Sequence, residues 1–342
     1  MPKRMLVFDF KPSEKAFFDV NSFEEYDISF FEGSLNEKTL KNVSLSDKEN
    51  VEIISVFISS HINREVLDGF DKLKIIATRS TSCNHINLEE CLEHDIAVAN
   101  VTHYGAVTVV QYTFGLIIAL VRKIIPALFD MRKLENNFEN YLGRDLNTLT
   151  LGVVGTGRIG SQVCRLANFL GMNIIAYDFK AKPELSENFN VEYVDFETLV
   201  KNSDVITLHL PYNDDNYHMF SHREFEKMKE NAYLINTSRG ELVNTYALYK
   251  ALRDKKIQGC ALDVGECEDL SFDMDNFLQK IPETTHNCLG RALVIQKMIE
   301  LPNVIVTPHI AHSTEEAIQD ILETTMKSIK AFYEGKKSNR VV

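Results

Sequence analysis

The segment Thr148-Leu-Thr-Leu-Gly-Val-Val-Gly-Thr-Gly-Arg-Ile-Gly160 decides the fold of this chain. An apolar run, Leu149 to Val154, enters three glycines spaced Gly-x-Gly-x-x-Gly, and the amphipathic segment Ile159 to Leu170 follows them. A second apolar run, Ile174 to Tyr177, ends on Asp178. This order predicts a strand, a glycine turn, a helix and a second strand, which is how a doubly wound parallel sheet begins.

Each part of the motif has a task in binding a dinucleotide. Gly155 permits the tight turn, Gly157 lets the backbone approach a pyrophosphate, and Gly160 lets helix and strand pack closely. The amides at the start of the helix face the phosphates. Asp178 stands where a carboxylate would bind the ribose hydroxyls. Since Phe179 rather than an arginine follows it, the motif favours NAD over NADP.

Length and composition predict an ordinary globular protein. A chain of 342 residues is expected to form about two domains. The formal net charge of −12, with no run of lysine or arginine, argues against nucleic acid or an anionic membrane as partner. The apolar runs Met5 to Phe8 and Phe114 to Val121 are too short for a signal peptide or a membrane span. We therefore expect a cytoplasmic protein.

The cysteines are scattered along the chain. No two of them have the spacing C-x-x-C, and no paired histidines lie near them. Their distribution predicts reduced thiols rather than a disulfide framework or a zinc site, and no metal cluster is expected. The six residues are Cys83, Cys91, Cys164, Cys260, Cys267 and Cys288.

The first hundred residues alternate between strand-like and helix-like segments, which predicts a parallel sheet of their own. The strand candidates are Met5–Phe10, Tyr26–Phe31, Val51–Phe57, Leu73–Thr78 and Ala97–Asn100, and the helix candidates include Asn63–Phe70 and Asn87–His94. The segment Val107 to Arg132 is interpreted as one long helix, apolar on most sides. It fits either a central core helix or a subunit interface.

Alternation resumes after the glycine loop, with enough strands for a complete second sheet. The further strand candidates are Val205–Leu210, Ala232–Asn236, Gly259–Val264 and Val304–Val306. The tail, Thr314 to Glu334, is predicted to be one amphipathic helix that packs back on the amino-terminal domain. The predicted fold is therefore α/β, with two Rossmann-like domains and parallel sheets. Residues 1–102 and 311–342 form a discontinuous substrate domain, and residues 103–310 form the NAD-binding domain.

Three charged or titratable residues follow predicted strands, where ligands bind in such sheets. They are Arg239, Glu268 and His309. Reduction of a 2-oxo acid needs a cation for the carboxylate, which an arginine fork suits, and a proton donor for the alkoxide, which a histidine supplies. Glu268 would orient His309 and raise its pKa. Taken singly, Arg239 also fits a structural ion pair, Glu268 a solvated loop acid, and His309 a histidine at a helix start or in the core.

Several further segments carry a resemblance to a known family. They include Arg79-Ser-Thr-Ser-Cys-Asn-His-Ile-Asn87, Asn100-Val-Thr-His-Tyr104, Ala232-Tyr-Leu-Ile-Asn-Thr-Ser-Arg-Gly240 and Pro302-Asn-Val-Ile-Val-Thr-Pro-His309. Together with the glycine loop, they resemble the D-isomer-specific 2-hydroxyacid dehydrogenases, and within that family the D-lactate dehydrogenase branch. The match covers nearly the whole chain.

The resemblance implies roles for individual residues. Arg239, Glu268 and His309 would be catalytic, the amides of Thr81 and Ser82 would bind the substrate carboxylate, and Tyr104 would line the pocket. It also implies a homodimer, or a dimer of dimers, formed through the long helix. The implied cofactor-binding residues are Gly155, Gly157, Arg158, Ile159, Gly160, Asp178, Pro211, Thr237, Asp263 and Thr108.

The chain departs from the family at positions that bear on the substrate. The family loop Gly-Phe-Asp is Ser82-Cys83-Asn84 here, and the family's Thr-Val-Ala-Glu-His is Thr108-Val-Val-Gln-Tyr112. Gly265 and His312 replace aromatic residues, which changes the volume and polarity of the pocket. Pyruvate is the first expected substrate. The alternative substrates are hydroxypyruvate or glyoxylate and a bulkier 2-oxo acid. The alternative function is that of an NAD-sensing binding protein that performs no catalysis.

Overall fold

The computed structural model describes residues 2–20, 23–102, 105–134, 138–268 and 285–342. It divides the chain into two compact units. Unit one comprises Met1–Gly105 and Ser313–Val342, and unit two comprises Ala106–His312. The sequence placed these boundaries after residues 102 and 310. Among the described residues, no helix is both long and apolar enough to cross a membrane.

Unit one is built on a parallel sheet of five described strands in the order β2-β1-β3-β4-β5. Most residues of its central strands are buried, as in a sheet with both faces covered. The strands are β1 (Lys3–Val7), β2 (Tyr26–Phe30), β3 (Ile53–Val56), β4 (Ile75–Thr78) and β5 (Ala97–Ala99). The helices between them are α1 (Lys15–Val20), α2 (Leu45–Asn50), α3 (Arg64–Leu67) and α4 (Leu88–Glu93).

Unit two contains a parallel sheet of seven described strands in the order β12-β11-β10-β9-β6-β7-β8. The strands are β6 (Thr150–Val154), β7 (Asn173–Tyr177), β8 (Val191–Tyr193), β9 (Val205–Leu208), β10 (Tyr233–Asn236), β11 (Gly259–Leu262) and β12 (Val304–Val306). The helices are α5 (Ala106–Val121), α6 (Ile124–Arg132), α7 (Arg158–Phe169), α8 (Pro183–Phe189), α9 (Phe196–Asn202), α10 (His222–Lys227), α11 (Thr245–Arg253) and α12 (His286–Ile299). The predicted α/β fold with two parallel sheets is confirmed.

The order of the second sheet reverses between β6 and β9, and this is the switch point at which doubly wound sheets bind dinucleotides. Strand β8, at the edge of this sheet, and helix α8 were not predicted. A strand of three residues shows too little apolar periodicity to be recognised in the sequence.

The single helix predicted over Val107 to Arg132 is wrong, because the chain breaks between α5 and α6. Lys123 adopts a left-handed conformation with φ of 56°. Pro126 accounts for the break. Its ring would collide with the carbonyl of Arg122 in a continuous helix, whereas in the first turn of a new helix it has no amide to leave unsatisfied. Helix α5 packs against α7, β10 and β11, and Ile117 is fully buried, so α5 is a core helix of unit two.

The register of unit two aligns the carboxyl ends of three neighbouring strands. Asn236 pairs with Leu262, and Leu262 pairs with Val306. The loops that follow these strands therefore leave the sheet at one edge, which is where Arg239, Glu268 and His309 were predicted to meet.

The carboxyl-terminal helix α13 (Glu315–Tyr333) completes unit one, as the tail pattern predicted. It packs against β4 and β5. The last residues return to the edge of the same sheet, where the amide of Val341 donates to the carbonyl of Val98 over 2.7 Å. The first domain is therefore discontinuous in sequence.

A buried arginine joins the strand ends of unit one. Arg79 follows β4 and is 1% exposed. Its guanidinium donates to Glu14 Oε1 (3.1 Å), to Ser55 Oγ (3.0 Å) and to the carbonyls of Phe8 (2.8 Å) and Asp9 (3.0 Å). These bonds fix the backbone immediately before Thr81 and Ser82.

Replacing this arginine is expected to destabilise unit one. Arg79→Met leaves the carboxylate of Glu14 without its buried partner, which costs about 3–5 kcal/mol of unfolding free energy. Urea titration followed by circular dichroism measures the loss. Arg64→Met is the matched control, because Arg64 forms an exposed pair with Glu93 that is worth at most about 1 kcal/mol. Equal urea midpoints for the two variants would contradict the assignment.

Candidate active site

The glycine loop after β6 has the backbone that its sequence requires. Gly155 has φ of 91°, and a Cβ there would lie 2.7 Å from Leu210 Cδ2 and 2.8 Å from the carbonyl oxygen of His209. A Cβ on Gly160 would collide with the carbonyl oxygen of Gly155. Both positions therefore exclude side chains, the first by conformation and contact and the second by contact alone.

Gly157 differs, because no described atom outside its neighbours lies within 4 Å of the position that a Cβ would take. It is the N-cap of α7 and, as a glycine, has no side chain with which to cap the helix. The space beside Gly157 therefore lets a phosphate approach the backbone at the amino-terminal end of α7. These residues fit a dinucleotide pyrophosphate.

Asp178 follows β7 and lies against the glycine loop. Its Oδ2 accepts hydrogen bonds from the amide (2.6 Å) and hydroxyl (3.0 Å) of Thr156, and its Oδ1 accepts from the amide of Lys180 (2.9 Å). Partial burial disfavours the charged form, but the hydrogen bonds from Lys180 and Thr156 outweigh it and lower the pKa of Asp178. The carboxylate is therefore charged at neutral pH beside the loop.

Lys182 is a residue near this motif that the sequence analysis missed. Its ammonium donates to the carbonyl of Gly157 (3.2 Å) and to Ser161 Oγ (2.8 Å), and its charge also lowers the pKa of Asp178. The lysine stands outside the glycine pattern, so only the folding of the loop after β7 reveals it.

His309 and Glu268 form a hydrogen-bonded pair at the strand ends of β11 and β12. His309 Nδ1 lies 2.6 Å from Glu268 Oε2, and the two side chains are 31% and 28% exposed. Burial disfavours the imidazolium, but the hydrogen bond and charge of Glu268, with the charge of Asp263, outweigh it and raise the pKa of His309. With Nδ1 bound to the carboxylate, Nε2 is the nitrogen placed to exchange a proton with a substrate.

Arg239 belongs to the same cluster. Its guanidinium donates to the carbonyl of Ser238 over 2.6 Å, and its positive charge lowers the pKa of His309. The structure therefore brings together the three residues that the strand-end argument selected. A cation, an imidazole and a carboxylate in this arrangement can bind an anionic carbonyl compound and exchange a proton with its oxygen.

Comparison with known proteins agrees with this geometry. Residues 114–311 match the family model described as "D-isomer specific 2-hydroxyacid dehydrogenase, NAD binding domain". The chain belongs to this family. It is an NAD-dependent D-2-hydroxyacid dehydrogenase, which favours the enzyme hypothesis over the NAD sensor.

Similar proteins act on different 2-oxo acids. The dehydrogenase is 37% identical over 296 residues to a D-specific alpha-keto acid dehydrogenase of Enterococcus faecium, covering 85% of this chain and 87% of the relative. It is 35% identical over 285 residues to an aromatic 2-oxoacid reductase of Clostridium sporogenes, covering 82% of each. Among solved structures, the D-lactate dehydrogenase of Aquifex aeolicus complexed with NAD and lactic acid is 33% identical with a TM-score of 0.82, covering 98% of this chain and 97% of that one.

Asp263 has a structural task in the dehydrogenase besides its predicted contact with NAD. It is fully buried, and its carboxylate accepts hydrogen bonds from Thr307 Oγ1 (2.6 Å) and from the amides of Ile310 (2.9 Å) and Ala311 (2.8 Å). Its carbonyl accepts from the amide of His309 (2.9 Å). Asp263 thus holds the turn that carries His309. Its contact with the cofactor stays a prediction.

Other predicted cofactor-binding residues of unit two lie near strand ends or on helices. Thr237 follows β10, and its hydroxyl lies 3.0 Å from that of Thr113 on α5. Pro211 follows β9, and Thr108 lies in the first turn of α5. Arg158 and Ile159 open α7. Their contacts with NAD remain predictions.

The predicted substrate-binding residues Thr81 and Ser82 lie in unit one, in the loop after β4. The carbonyl of Thr81 accepts from Asn100 Nδ2 (2.8 Å), and that of Ser82 accepts from Ser80 Oγ (2.7 Å). The bond to the Thr81 carbonyl fixes the peptide group that carries the amide of Ser82. The peptide group that carries the amide of Thr81 is held by the amide of Val101, which donates to the carbonyl of Ser80 over 3.0 Å. Tyr104 lies outside the described residues.

The prediction that all cysteines are reduced is wrong for two of them, because Cys267 and Cys288 form a disulfide. They are 21 residues apart in sequence, with no spacing motif between them. Helix α12 places Cys288 beside the loop that carries Glu268, and a linear pattern does not encode that approach. Cys83, Cys91, Cys164 and Cys260 are free thiols, as predicted.

The raised pKa of His309 leads to a direct test. Glu268→Gln removes the charge that stabilises the imidazolium, so the pKa of His309 should fall. The Cε1 proton resonance of His309, assigned with a His309→Gln variant, measures the change by NMR titration. Glu323→Gln, an exposed change on α13, serves as control. An unchanged midpoint in Glu268→Gln would assign the raised pKa to another charge.

Proposed function

We propose that this dehydrogenase reduces pyruvate to D-lactate, with Arg239, His309 and Glu268 as its catalytic residues. The observation that carries the proposal is the 2.6 Å contact between His309 and Glu268, with the charge of Arg239 acting on the same imidazole. The similarity to a D-lactate dehydrogenase complexed with lactic acid supports pyruvate as the substrate.

Each residue of the cluster has one task in this reaction. The guanidinium of Arg239 binds and polarises the 2-oxo acid through its planar fork. NADH, when bound, supplies the hydride to the carbonyl carbon. His309 donates the proton from Nε2 to the oxygen as its negative charge develops, and Glu268 stabilises the imidazolium before that transfer. In the oxidation direction the same imidazole accepts the proton.

The remaining predicted residues would hold cofactor and substrate. We assign the pyrophosphate to Gly155, Gly157, Gly160 and the amide end of α7, and the ribose hydroxyls to the charged carboxylate of Asp178. We assign the substrate carboxylate to the amides of Thr81 and Ser82 from unit one, and a wall of the pocket to Tyr104. The support in the structure is the open space at Gly157 and the fixed peptides after β4.

A bulkier 2-oxo acid is the second candidate substrate. Gly265 supplies no side chain where the family has an aromatic residue. Its backbone packs directly against Gly240, where a Cβ would collide with it. His312 contacts His309 edge to face, with ring centroids 5.7 Å apart. The similarity to an aromatic 2-oxoacid reductase favours the same candidate.

We also propose a homodimer, or a dimer of dimers, in which α6 takes part. Three apolar side chains of this helix are more than half exposed in the single chain: Leu128, Phe129 and Met131. An apolar face of this kind is typical of a surface that a second copy covers.

The experiment that tests the function is NADH oxidation with pyruvate, 2-oxobutyrate, phenylpyruvate, 2-oxoisocaproate, hydroxypyruvate and glyoxylate, with the handedness of each product assigned. A preference for pyruvate giving D-lactate supports the proposal. A preference for phenylpyruvate or 2-oxoisocaproate would instead support a bulkier 2-oxo acid as the substrate. No turnover of any of these acids, with NADH bound, would overturn both.

Loss of the imidazole should affect the chemical step itself. His309→Asn is expected to lower kcat by about 10²–10⁴-fold, the usual contribution of a general acid. NADH affinity should change little, because His309 is not assigned to the cofactor. Stopped-flow measurement of hydride transfer and fluorescence titration with NADH separate the two quantities. A kcat within tenfold of wild type would remove His309 from this role.

Asp178 should determine the choice between the two cofactors. In Asp178→Ala the carboxylate that repels a 2′-phosphate is absent, while Lys182 stays nearby. We expect the ratio of kcat/KM for NADH to that for NADPH to fall at least about tenfold. A tenfold change corresponds to about 1.4 kcal/mol. Asp195→Ala, a helix-capping acid of the same unit, is the control. Unchanged discrimination would mean that Asp178 does not contact the ribose.

A further inference from the structure

The loop that ends at Glu268 is attached at two consecutive residues to a single helix. Glu266 forms an ion pair with Arg291 of α12, with Oε1 3.1 Å from the guanidinium. Cys267 forms a disulfide with Cys288 of the same helix. Cys288 and Arg291 are three residues apart, so they lie on one face of α12. The next residue of the loop is Glu268 itself.

Of the two residues that attach the loop to α12, Glu266 is the more deeply buried. It is 2% exposed, and its carboxylate is surrounded by donors. Oε1 also lies 2.8 Å from His218 Nε2, and Oε2 accepts from the amide (3.0 Å) and hydroxyl (2.7 Å) of Thr245 at the start of α11. A buried carboxylate with this many partners keeps one position, because each lost bond would leave a buried polar group unsatisfied.

The disulfide constrains the residue directly before the acid. Cys267 adopts a left-handed conformation with φ of 57°, which a side chain of this kind holds only when its surroundings enforce it. Cys267 lies within the turn from Gly265 to Glu268, which is closed by the amide of Gly265 donating to Glu268 Oε1 over 3.2 Å. The other oxygen of Glu268 reaches His309. A change in the backbone at Cys267 therefore acts on the carboxylate that contacts the imidazole.

We propose that α12 positions Glu268 through the Glu266–Arg291 ion pair and the Cys267–Cys288 bond, so that thiol–disulfide exchange at these cysteines controls how firmly Glu268 is held against His309. Glu266, Arg291 and the two cysteines are positioning residues. The proposal rests on the proposed function only for its effect on turnover, because the state of His309 can be read without a substrate.

The exchange step is an ordinary two-electron reaction. A thiolate of reduced glutathione attacks one sulfur, the S–S bond breaks, and the other sulfur leaves as a thiolate that takes a proton from water. A second glutathione thiolate then attacks the glutathione sulfur of this mixed disulfide, and the cysteine sulfur leaves and takes a proton from water. The products are two cysteine thiols and one molecule of glutathione disulfide. Both cysteines are partly exposed.

The central test compares the oxidised and reduced forms of the unaltered enzyme, with the thiol state established by alkylation and mass spectrometry. NMR titration of His309 and the pH dependence of kcat/KM are measured on both. We expect reduction to lower the midpoint of both curves by about half a pH unit, because a loosely held carboxylate stabilises the imidazolium less. At a pH above the midpoint, this corresponds to about threefold lower kcat/KM.

Matched variants separate positioning from folding. Cys267→Ser/Cys288→Ser should titrate like the reduced enzyme in either buffer, whereas Cys91→Ala, which removes a buried free thiol of unit one, should respond like wild type. Glu266→Gln should also lower the midpoint of the His309 titration. Arg291→Lys should lower it less, because the lysine retains the positive charge that pairs with Glu266. Asp204→Asn alters another buried, ion-paired carboxylate of unit two. It should lower the melting temperature without moving the titration.

The outcomes distinguish the inference from the function. Identical His309 midpoints in the verified oxidised and reduced forms would overturn the inference, as would a failure of Cys267 and Cys288 to pair in oxidising buffer. If the midpoints differ but no 2-oxo acid is turned over, the inference stands and the proposed function fails. If Glu266→Gln does not fold, the comparison of the oxidised and reduced forms still tests the inference.

Discussion

The buried carboxylate of Asp263 is the group on which the arrangement of the candidate active site depends. It accepts hydrogen bonds from a hydroxyl and two amides of the turn after β12, and its own carbonyl receives the amide of His309. Burial raises the pKa of Asp263, and the donors around it oppose that effect. Since Asp263 also begins the loop that leads to Glu268, one residue at the end of β11 sets the positions of both partners in the His309–Glu268 pair.

The backbone on both sides of that pair is strained. His309 and Cys267 have φ of 54° and 57°, a region that non-glycine residues seldom occupy. Such conformations persist where surrounding bonds determine them, and they concentrate at functional sites. Here the enforcing contacts are the carboxylate of Asp263 for the histidine and the link to α12 for the cysteine. The geometry of the pair is therefore maintained by its supports rather than by its own contact alone.

Much of this arrangement follows from the order of residues along the chain. The glycines at 155, 157 and 160 require a strand before them and a helix after them, and aligned parallel strands bring Arg239, Glu268 and His309 to one edge. The same reasoning located the discontinuous first domain, because a lone amphipathic helix must bury its apolar face somewhere.

What the sequence did not predict depends on contacts between distant residues or on local exceptions. The partners of Asp263 are more than forty residues away, and the partner of Glu266 on α12 lies beyond a segment with no motif. The pairing of Cys267 with Cys288 is of the same kind. The break at Lys123 had a local signal in Pro126, but the apolar periodicity on either side suggested continuity. Strand β8 is too short for periodicity to detect.

The discontinuity of unit one has a consequence for the order in which the protein folds during its synthesis. Every segment of unit two has been made once His312 leaves the ribosome, so this unit can fold first. The sheet of unit one must wait, because Met326 and Ile329 of α13 cover Met5, Ile75 and Ala97 on one of its faces. Until Ser313–Val342 has emerged, that face is exposed to other chains, and an incomplete domain of this kind is prone to misassembly. The residues of unit one that precede Ala106 are thus synthesised before unit two, but their sheet is completed after it.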